Sequence, residues 1–259
     1  MEKREERYGD CVFVFDSGIG GLNLLYECAR RAPDLRYYFI SDNDNVPYGN
    51  KSAEEIYRLT RNTLKGIESY NPAALVVACN TVTANCIKRL RADYSFPVIG
   101  IQPAVKPAAK LGGRCLVLAT ESTVRSASFS SLVSRCGGAE FKVAGCRELA
   151  GFIEKNIFDL PASLPKGLLP DEKADSVVLG CTHYAFVKKQ IEEFYSCPVF
   201  DGVIGTANHF LEILGMTDHF NTLSGKIDHS MNLKYKITFL GGDINKNSAI
   251  FSKLIELYS

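Results

Sequence analysis

The chain has 259 residues, 46% hydrophobic and 23% charged, an ordinary globular composition long enough for one large α/β domain or two smaller ones. Thirty Lys+Arg against 29 Asp+Glu leave a net charge of +1, which excludes bulk electrostatic attraction to nucleic acid or to an anionic membrane. No apolar run reaches the roughly 18–20 residues that span a bilayer, and the charged start Met1–Arg7 lacks a following signal-peptide stretch, so a cytoplasmic location with reduced cysteines is expected.

After a charged tail expected to fray, Cys11-Val-Phe-Val-Phe15 is a continuous apolar run that stops at Asp16-Ser-Gly-Ile-Gly-Gly21. That is the pattern of a buried strand entering a loop and then a helix, here over 22–31. Residues 37–40 read as a strand, 52–70 as a long amphipathic helix, 74–78 as a strand and 81–91 as a helix. The same grammar continues with strands at 115–118, 141–143, 176–179 and 199–200, and helices near 123–135, 148–156 and 185–194. A proline-broken connection over 160–170 separates units. Strands alternating with helices predict parallel sheets covered on both faces.

An internal repeat sharpens this. Leu75-Val-Val-Ala-Cys79-Asn-Thr is echoed by Val177-Val-Leu-Gly-Cys181-Thr-His at an offset of 102, and Tyr94-Ser-Phe-Pro-Val98 by Tyr195-Ser-Cys-Pro-Val199 at 101. A weaker echo links Phe13-Val-Phe-Asp-Ser17 with Leu116-Val-Leu-Ala-Thr120 at 103. Two similar α/β units are implied, with each cysteine at the carboxyl end of an equivalent strand. Ligands of open α/β sheets bind beyond those ends, so facing units would set Cys79 and Cys181 on opposite walls of one cleft. Chance similarity of two Val-rich strands is the plainer alternative.

Inverting a carbon that bears one hydrogen needs a proton to leave one face and another to arrive on the opposite face. A thiol pair suits this, because a reference cysteine pKa of about 8.5 keeps thiol and thiolate both within reach of neutrality. Asp16, at the end of the first strand, is placed to assist Cys79, and His183 to assist Cys181. The plainer readings are a helix-capping Asp16 and a packed His183. Cys11, Cys28, Cys86, Cys115, Cys136, Cys146 and Cys197 lack comparable polar neighbours and read as core or incidental residues. No CxxC spacing or His/Cys cluster supports a metal site.

The loop Asp16–Gly21 fails the dinucleotide fingerprint, since Asn23 stands where the third glycine would fall, and no Walker lysine follows. It reads as a tight turn or as a set of backbone N–H donors for a small anion such as a carboxylate. Asn80, Thr81, Thr83, Thr120, Thr123 and Thr182 offer amide and hydroxyl groups at strand ends, to hold carboxylates and an ammonium group or to cap helices. Val46-Pro-Tyr48-Gly49 is a rigid turn able to close over a ligand. No PLP signature is legible, so no cofactor is expected.

Together these residues resemble the glutamate racemases of the wider aspartate/glutamate racemase superfamily. The resemblance runs through Phe15-Asp-Ser-Gly-Ile-Gly-Gly-Leu22, Asp42 with Val46-Pro-Tyr-Gly49, Ala78-Cys-Asn-Thr81, Thr120 with Thr123, Leu179-Gly-Cys-Thr-His-Tyr184 and Asp201. Cys-Thr-His is the glutamate-type form, where aspartate relatives usually carry Glu after Cys-Thr. What the resemblance implies is two pseudo-symmetric parallel-sheet α/β domains facing across a central cleft, 1–100 with 209–259 and 101–208. It implies PLP-independent interconversion of L- and D-glutamate, the D-form destined for peptidoglycan. Cys79 and Cys181 match the family's acid/base pair, with Cys181 serving the L-enantiomer, Asp16 and His183 match the helpers, and Glu154 an acidic residue beside the histidine. Asp16-Ser17, Tyr48-Gly49, Asn80-Thr81 and Thr182-His183 match substrate-binding pairs. The chain departs from the usual pattern at Ser41, Asn45 and Ala185, where the family has Gly, Arg and Pro. The expected partner is a small molecule, with no nucleic acid or membrane, and a homodimer is one state found in the family.

Three rivals stay open. A racemase of aspartate or another acid would differ in relative rates. A non-catalytic glutamate-binding relative would show ligand-stabilised melting without α-proton exchange, and a Cys181–His183 hydrolase would leave Cys79 dispensable.

Overall fold

The computed structural model describes residues 9–216 and 236–258, so the tail expected to fray lies outside the described residues. Strands β1 (Cys11–Asp16), β2 (Arg36–Ser41), β3 (Ala74–Val77), β4 (Val98–Gly100), β5 (Arg114–Ala119), β6 (Glu140–Gly145), β7 (Ser176–Gly180), β8 (Val199–Phe200) and β9 (Lys236–Leu240) form two sheets. Their orders are β4-β3-β1-β2-β9 and β6-β5-β7-β8, and the pairings are parallel throughout. Setting β9 aside, β2-β1-β3-β4 matches β6-β5-β7-β8 strand for strand. The register agrees, since Phe15 pairs with Val77 and Leu118 with Leu179, each pair ending two residues before a cysteine of interest. The sequence echo is therefore a structural equivalence in which Asp16 corresponds to Ala119 and Ser17 to Thr120.

Both faces of each sheet are covered, which is why the strands read as unbroken apolar runs. Val12, Val14, Ala74 and Val76 pack with Leu22 and Leu25 of α1 (Leu22–Arg31), Phe210 of α9 (Val203–Ile213) and Phe251 of α10 (Ile244–Tyr258). On the other face Phe13, Phe15, Leu75 and Val77 meet Ile56 of α2 (Ala53–Thr63) and Val82 and Leu90 of α3 (Asn80–Asp93). In the second sheet Leu116, Leu118, Val177 and Leu179 pack on α7 (Leu149–Asn156) and α8 (Lys188–Tyr195). Cys115, Val117 and Val178 pack toward α4 (Val105–Leu111) and Phe129 of α6 (Ala127–Ser134). Each fully buried Val, Leu, Ile or Phe among these stabilises the fold by roughly 1.5–3 kcal/mol, which anchors the strand ends that carry polar residues.

Several expected helices are shorter than their periodicity suggests. The helix expected over 52–70 stops at Thr63, because Gly66 sits at φ 86° and the chain tightens into a 3-10 turn over Ile67–Tyr70. The one expected over 123–135 divides into α5 (Glu121–Val124) and α6, since the Ser126 hydroxyl accepts the Phe129 N–H and starts a new helix. The one expected over 185–194 is a 3-10 segment, Thr182–Val187, running into α8. Helix α9 straddles position 209 and packs on α1.

Candidate active site

The carboxyl ends of the two sheets meet. The Thr81 hydroxyl lies 2.9 Å from that of Thr120, Asn85 Nδ2 donates to Ser122 Oγ at 3.1 Å, and the Thr182 hydroxyl donates to Asp16 Oδ2 at 3.0 Å. Gly49 is pressed against Thr120, so closely that a Cβ there would lie 2.7 Å from Thr120 Cβ. In every pair one partner comes from the first unit and one from the second.

Cys79 follows β3 and opens α3, buried at 4% exposure, with its sulfur 3.4 Å from Ser17 Oγ. Asp16, fully buried at the end of β1, accepts the Gly18 N–H at 2.8 Å through Oδ1 and Thr182 through Oδ2. It does not cap α1, whose N-cap is Gly21 with no side-chain capping bond. Instead it pins the glycine loop against the second unit, and a Cβ at Gly20 would strike the Thr182 side chain. Burial pushes the Asp16 carboxyl up to about 6, against the pull of nearby His183 and of its hydrogen bonds to Gly18 and Thr182. Burial, then the Asp16 charge, pushes the Cys79 thiol up to about 12, only partly offset by Ser17.

Cys181 follows β7 at 7% exposure, with its sulfur 3.9 Å from Nδ1 of His183. The other ring nitrogen, Nε2, lies 2.6 Å from Glu154 Oε2, and Glu154 also accepts from Ile19 N, Asn43 Nδ2 and Lys246 Nζ at 3.2, 3.0 and 3.2 Å. Burial opposes a charge on His183, but its bonds to Cys181 and Glu154 prevail and hold it well above the usual imidazole range. Burial likewise pushes Glu154 up, yet His183 first and Lys246 after it draw the carboxyl down to about 2. The raised imidazole and the lowered carboxyl together make this an imidazolium–carboxylate pair.

The remaining expected residues fall into two groups. Thr81, Thr120 and Thr123 form a hydroxyl cluster with edges of 2.9, 2.9 and 3.5 Å, beside buried Asn80, whose Nδ2 has no hydrogen-bond partner among the described residues. Tyr48, which lies in one apolar cluster with Cys79, donates its hydroxyl to Asp42 at 2.6 Å, and Asn45 donates to the same carboxylate at 2.8 Å. Asp42 thus orients the Tyr48 turn and bonds to neither cysteine. Two of the loop N–H groups expected to meet an anion already do so, Gly18 with Asp16 and Ile19 with Glu154. Asp201 accepts from Lys188 at 2.9 Å and from the Val203 N–H at the start of α9, apart from this cluster. Asn43 and Lys246 escaped the sequence reading, because neither stands in a motif and only folding brings them to Glu154. All nine cysteines are unpaired, no group of three or more potential ligands gathers for a metal among the described residues, and no described helix is long and apolar enough to cross a membrane.

A family model for the Asp/Glu/Hydantoin racemases matches residues 23–209, and a glutamate racemase from Clostridium novyi is 37% identical over 207 residues, 76% of this chain and 80% of that one. The chain belongs to the glutamate racemase family. It is an isomerase, an amino-acid racemase. Among solved structures, a glutamate racemase isoform from Bacillus anthracis matches with TM-score 0.75 at 25% identity, over 95% of this chain and 94% of that one. The glutamate racemase of Escherichia coli, in complex with L-glutamate and the activator UDP-MurNAc-Ala, matches with TM-score 0.71 at 26% identity, over 88% and 97%. The two-sheet architecture of this racemase is thus that of its family.

Proposed function

We propose that this racemase interconverts L- and D-glutamate through two thiols, Cys79 and Cys181, with no PLP. The observation that carries the reading is that two cysteines end equivalent strands, Cys79 beside Ser17 and Cys181 beside His183, where the carboxyl ends of the two units are joined through Thr182–Asp16 and Thr81–Thr120. The substrate follows from the relatives, which are glutamate racemases, one of them bound to L-glutamate.

In one direction the Cys181 sulfur, as thiolate beside the His183 cation, takes the Cα hydrogen of L-glutamate as a proton, leaving the electron pair on the substrate. The Cys79 thiol then gives its proton to the opposite face of that carbon, breaking its S–H bond as the new C–H bond forms, and D-glutamate results. The reverse direction starts with Cys79 as thiolate, with Asp16, made a stronger base than an ordinary carboxylate by its burial, helping to take that thiol's proton. Asn80, the Thr81–Thr120–Thr123 hydroxyls, Ser17, Thr182 and the backbone at Tyr48-Gly49 hold the carboxylates, whose charge grows as the proton leaves. The D-glutamate formed supplies peptidoglycan synthesis in the cytoplasm.

Optical rotation tests the reading. Purified protein without added cofactor should bring L-glutamate, and separately D-glutamate, to zero rotation, and act far more slowly on aspartate. Unchanged rotation with both glutamate enantiomers in folded protein contradicts it.

A further inference from the structure

Glu154 belongs to the second unit, but most of what holds it belongs to the first. Its Oε2 meets His183 Nε2 and the Ile19 N–H, whereas Oε1 meets Asn43 Nδ2 and Lys246 Nζ, and Lys246 also donates to the Glu154 backbone carbonyl at 2.9 Å. Asn43 lies just after β2 and Lys246 in the first turn of α10.

A second route joins the same two elements. Asn247, next to Lys246 and fully buried, donates to Ser41 Oγ at 2.9 Å. Ser41 donates to Asn43 Oδ1 at 2.6 Å, which leaves Asn43 Nδ2 for Glu154. The turn leading into α10 is fitted to this contact, since Gly241 and Gly242 have φ of 73° and 58° and a Cβ on Gly242 would lie 2.5 Å from Ser41 Oγ. Successive residues of one helix therefore start two routes that both end on Glu154 Oε1. A carboxylate held at one oxygen alone can swing about its last torsion, whereas donors on both oxygens fix which edge faces the imidazole.

The geometry points to Lys246 and Asn43 as positioning residues for the Cys181 half of the site. Through Oε1 they hold the Glu154 carboxylate so that Oε2 keeps His183 aimed at Cys181, and α10 becomes a working part of the active site. This inference rests on the two-thiol reading. Among the described residues neither side chain bonds to either cysteine, so both act through Glu154.

The test is Lys246→Met and Asn43→Ala in the full chain, each alone and combined with Glu154→Gln, with kcat, KM and their pH dependence measured on glutamate. Each single variant should lower kcat about tenfold and leave KM for glutamate within about twofold, with Lys246→Arg recovering most of the loss. The ionisable groups facing Glu154 are His183, Lys246 and Asp16, with Cys181 beyond the imidazole. Removing the Lys246 cation lets Glu154 hold its proton to higher pH, so the acid limb of kcat should move upward in Lys246→Met. Neither substitution should lower kcat further once Glu154 is Gln. Wild-type kcat and pH profile in both Lys246→Met and Asn43→Ala, or losses just as large in the Glu154→Gln background, overturn the inference. Cys181→Ser separates the two failures: if it keeps a near wild-type kcat, the two-thiol reading itself fails, whereas a collapsed kcat in Cys181→Ser beside unimpaired Lys246→Met and Asn43→Ala defeats this inference alone.

Discussion

Cys79 and Cys181 end equivalent strands of equivalent sheets, yet their surroundings share almost nothing. Cys79 has a buried carboxyl titrating near 6 and the Ser17 hydroxyl, and Cys181 has an imidazolium backed by a carboxylate and a lysine. Where the first unit carries Asp16, the second carries Ala119, and where the first has Asn80-Thr81, the second has Thr182-His183. The scaffold repeats and the polar chemistry does not. Each unit also supplies part of the other's shell: Thr182 holds Asp16, while Ile19, Asn43 and Lys246 hold Glu154. One side therefore keeps a neutral thiol and the other a charged pair, which is the unequal protonation that moving a proton between two faces requires.

The comparison breaks most visibly if one sulfur proves dispensable. Cys79→Ser and Cys181→Ser should each lower kcat for glutamate racemisation by roughly 10³–10⁴-fold in a polarimetric assay, and a loss confined to one of them would mean that the halves are not partners. His183→Gln and Glu154→Gln should follow with losses of about 10²-fold, because they remove the cation beside Cys181 or its anchor but leave both sulfurs.

Asp16→Asn tests the other half through stability. The folded value of Asp16, about 6, lies above its ordinary 3.8, so the native state keeps its proton longer than the unfolded chain and stability falls as pH rises between these values. The variant should lose activity and yet resist urea better at pH 8 by up to about 3 kcal/mol, with little gain at pH 3.5. Equal gain at both pH values would mean that burial of the charge is not the cause. Glu154 has the opposite sign: its folded value, about 2, lies below its ordinary 4.5, so its contribution is present above 4.5 and lost as pH falls toward 2. Urea melts of the wild type should show that acid-side loss, and Glu154→Gln should flatten it. The smallest effect belongs to Ser17→Ala, which removes one neutral contact to Cys79 and should cost about tenfold or less in kcat/KM with the glutamate KM rising.

Much of this architecture was legible from the chain. Doubly covered parallel strands must be apolar along their whole length, so Cys11–Phe15 and Val177–Leu179 announced themselves, and the echo around Cys79 and Cys181 gave the pairing of the units. Elements without such a signature escaped: β4 is only three residues long, α4 carries Pro107, and α9 follows a single turn after β8. The long helix expected over 52–70 failed because periodicity does not register a positive φ at Gly66. In the candidate site, Asp16 and His183 stand out through their neighbours in sequence, and Glu154 only through family resemblance. Asn43 and Lys246 had no local signal, and Ser41 stood out only as a departure from the family pattern, since their contact with the site is made by packing α10 and the turn after β2 against α7.

The most direct test of two opposed thiols is early-time racemisation of L-glutamate in deuterium oxide, with deuterium counted separately in each enantiomer. The account predicts deuterium at Cα of the D-glutamate formed while recovered L-glutamate stays protiated, because the group that takes the proton is not the group that returns one. Deuterium entering both enantiomers at equal rates from the outset would mean a single base serving both faces, and would contradict it.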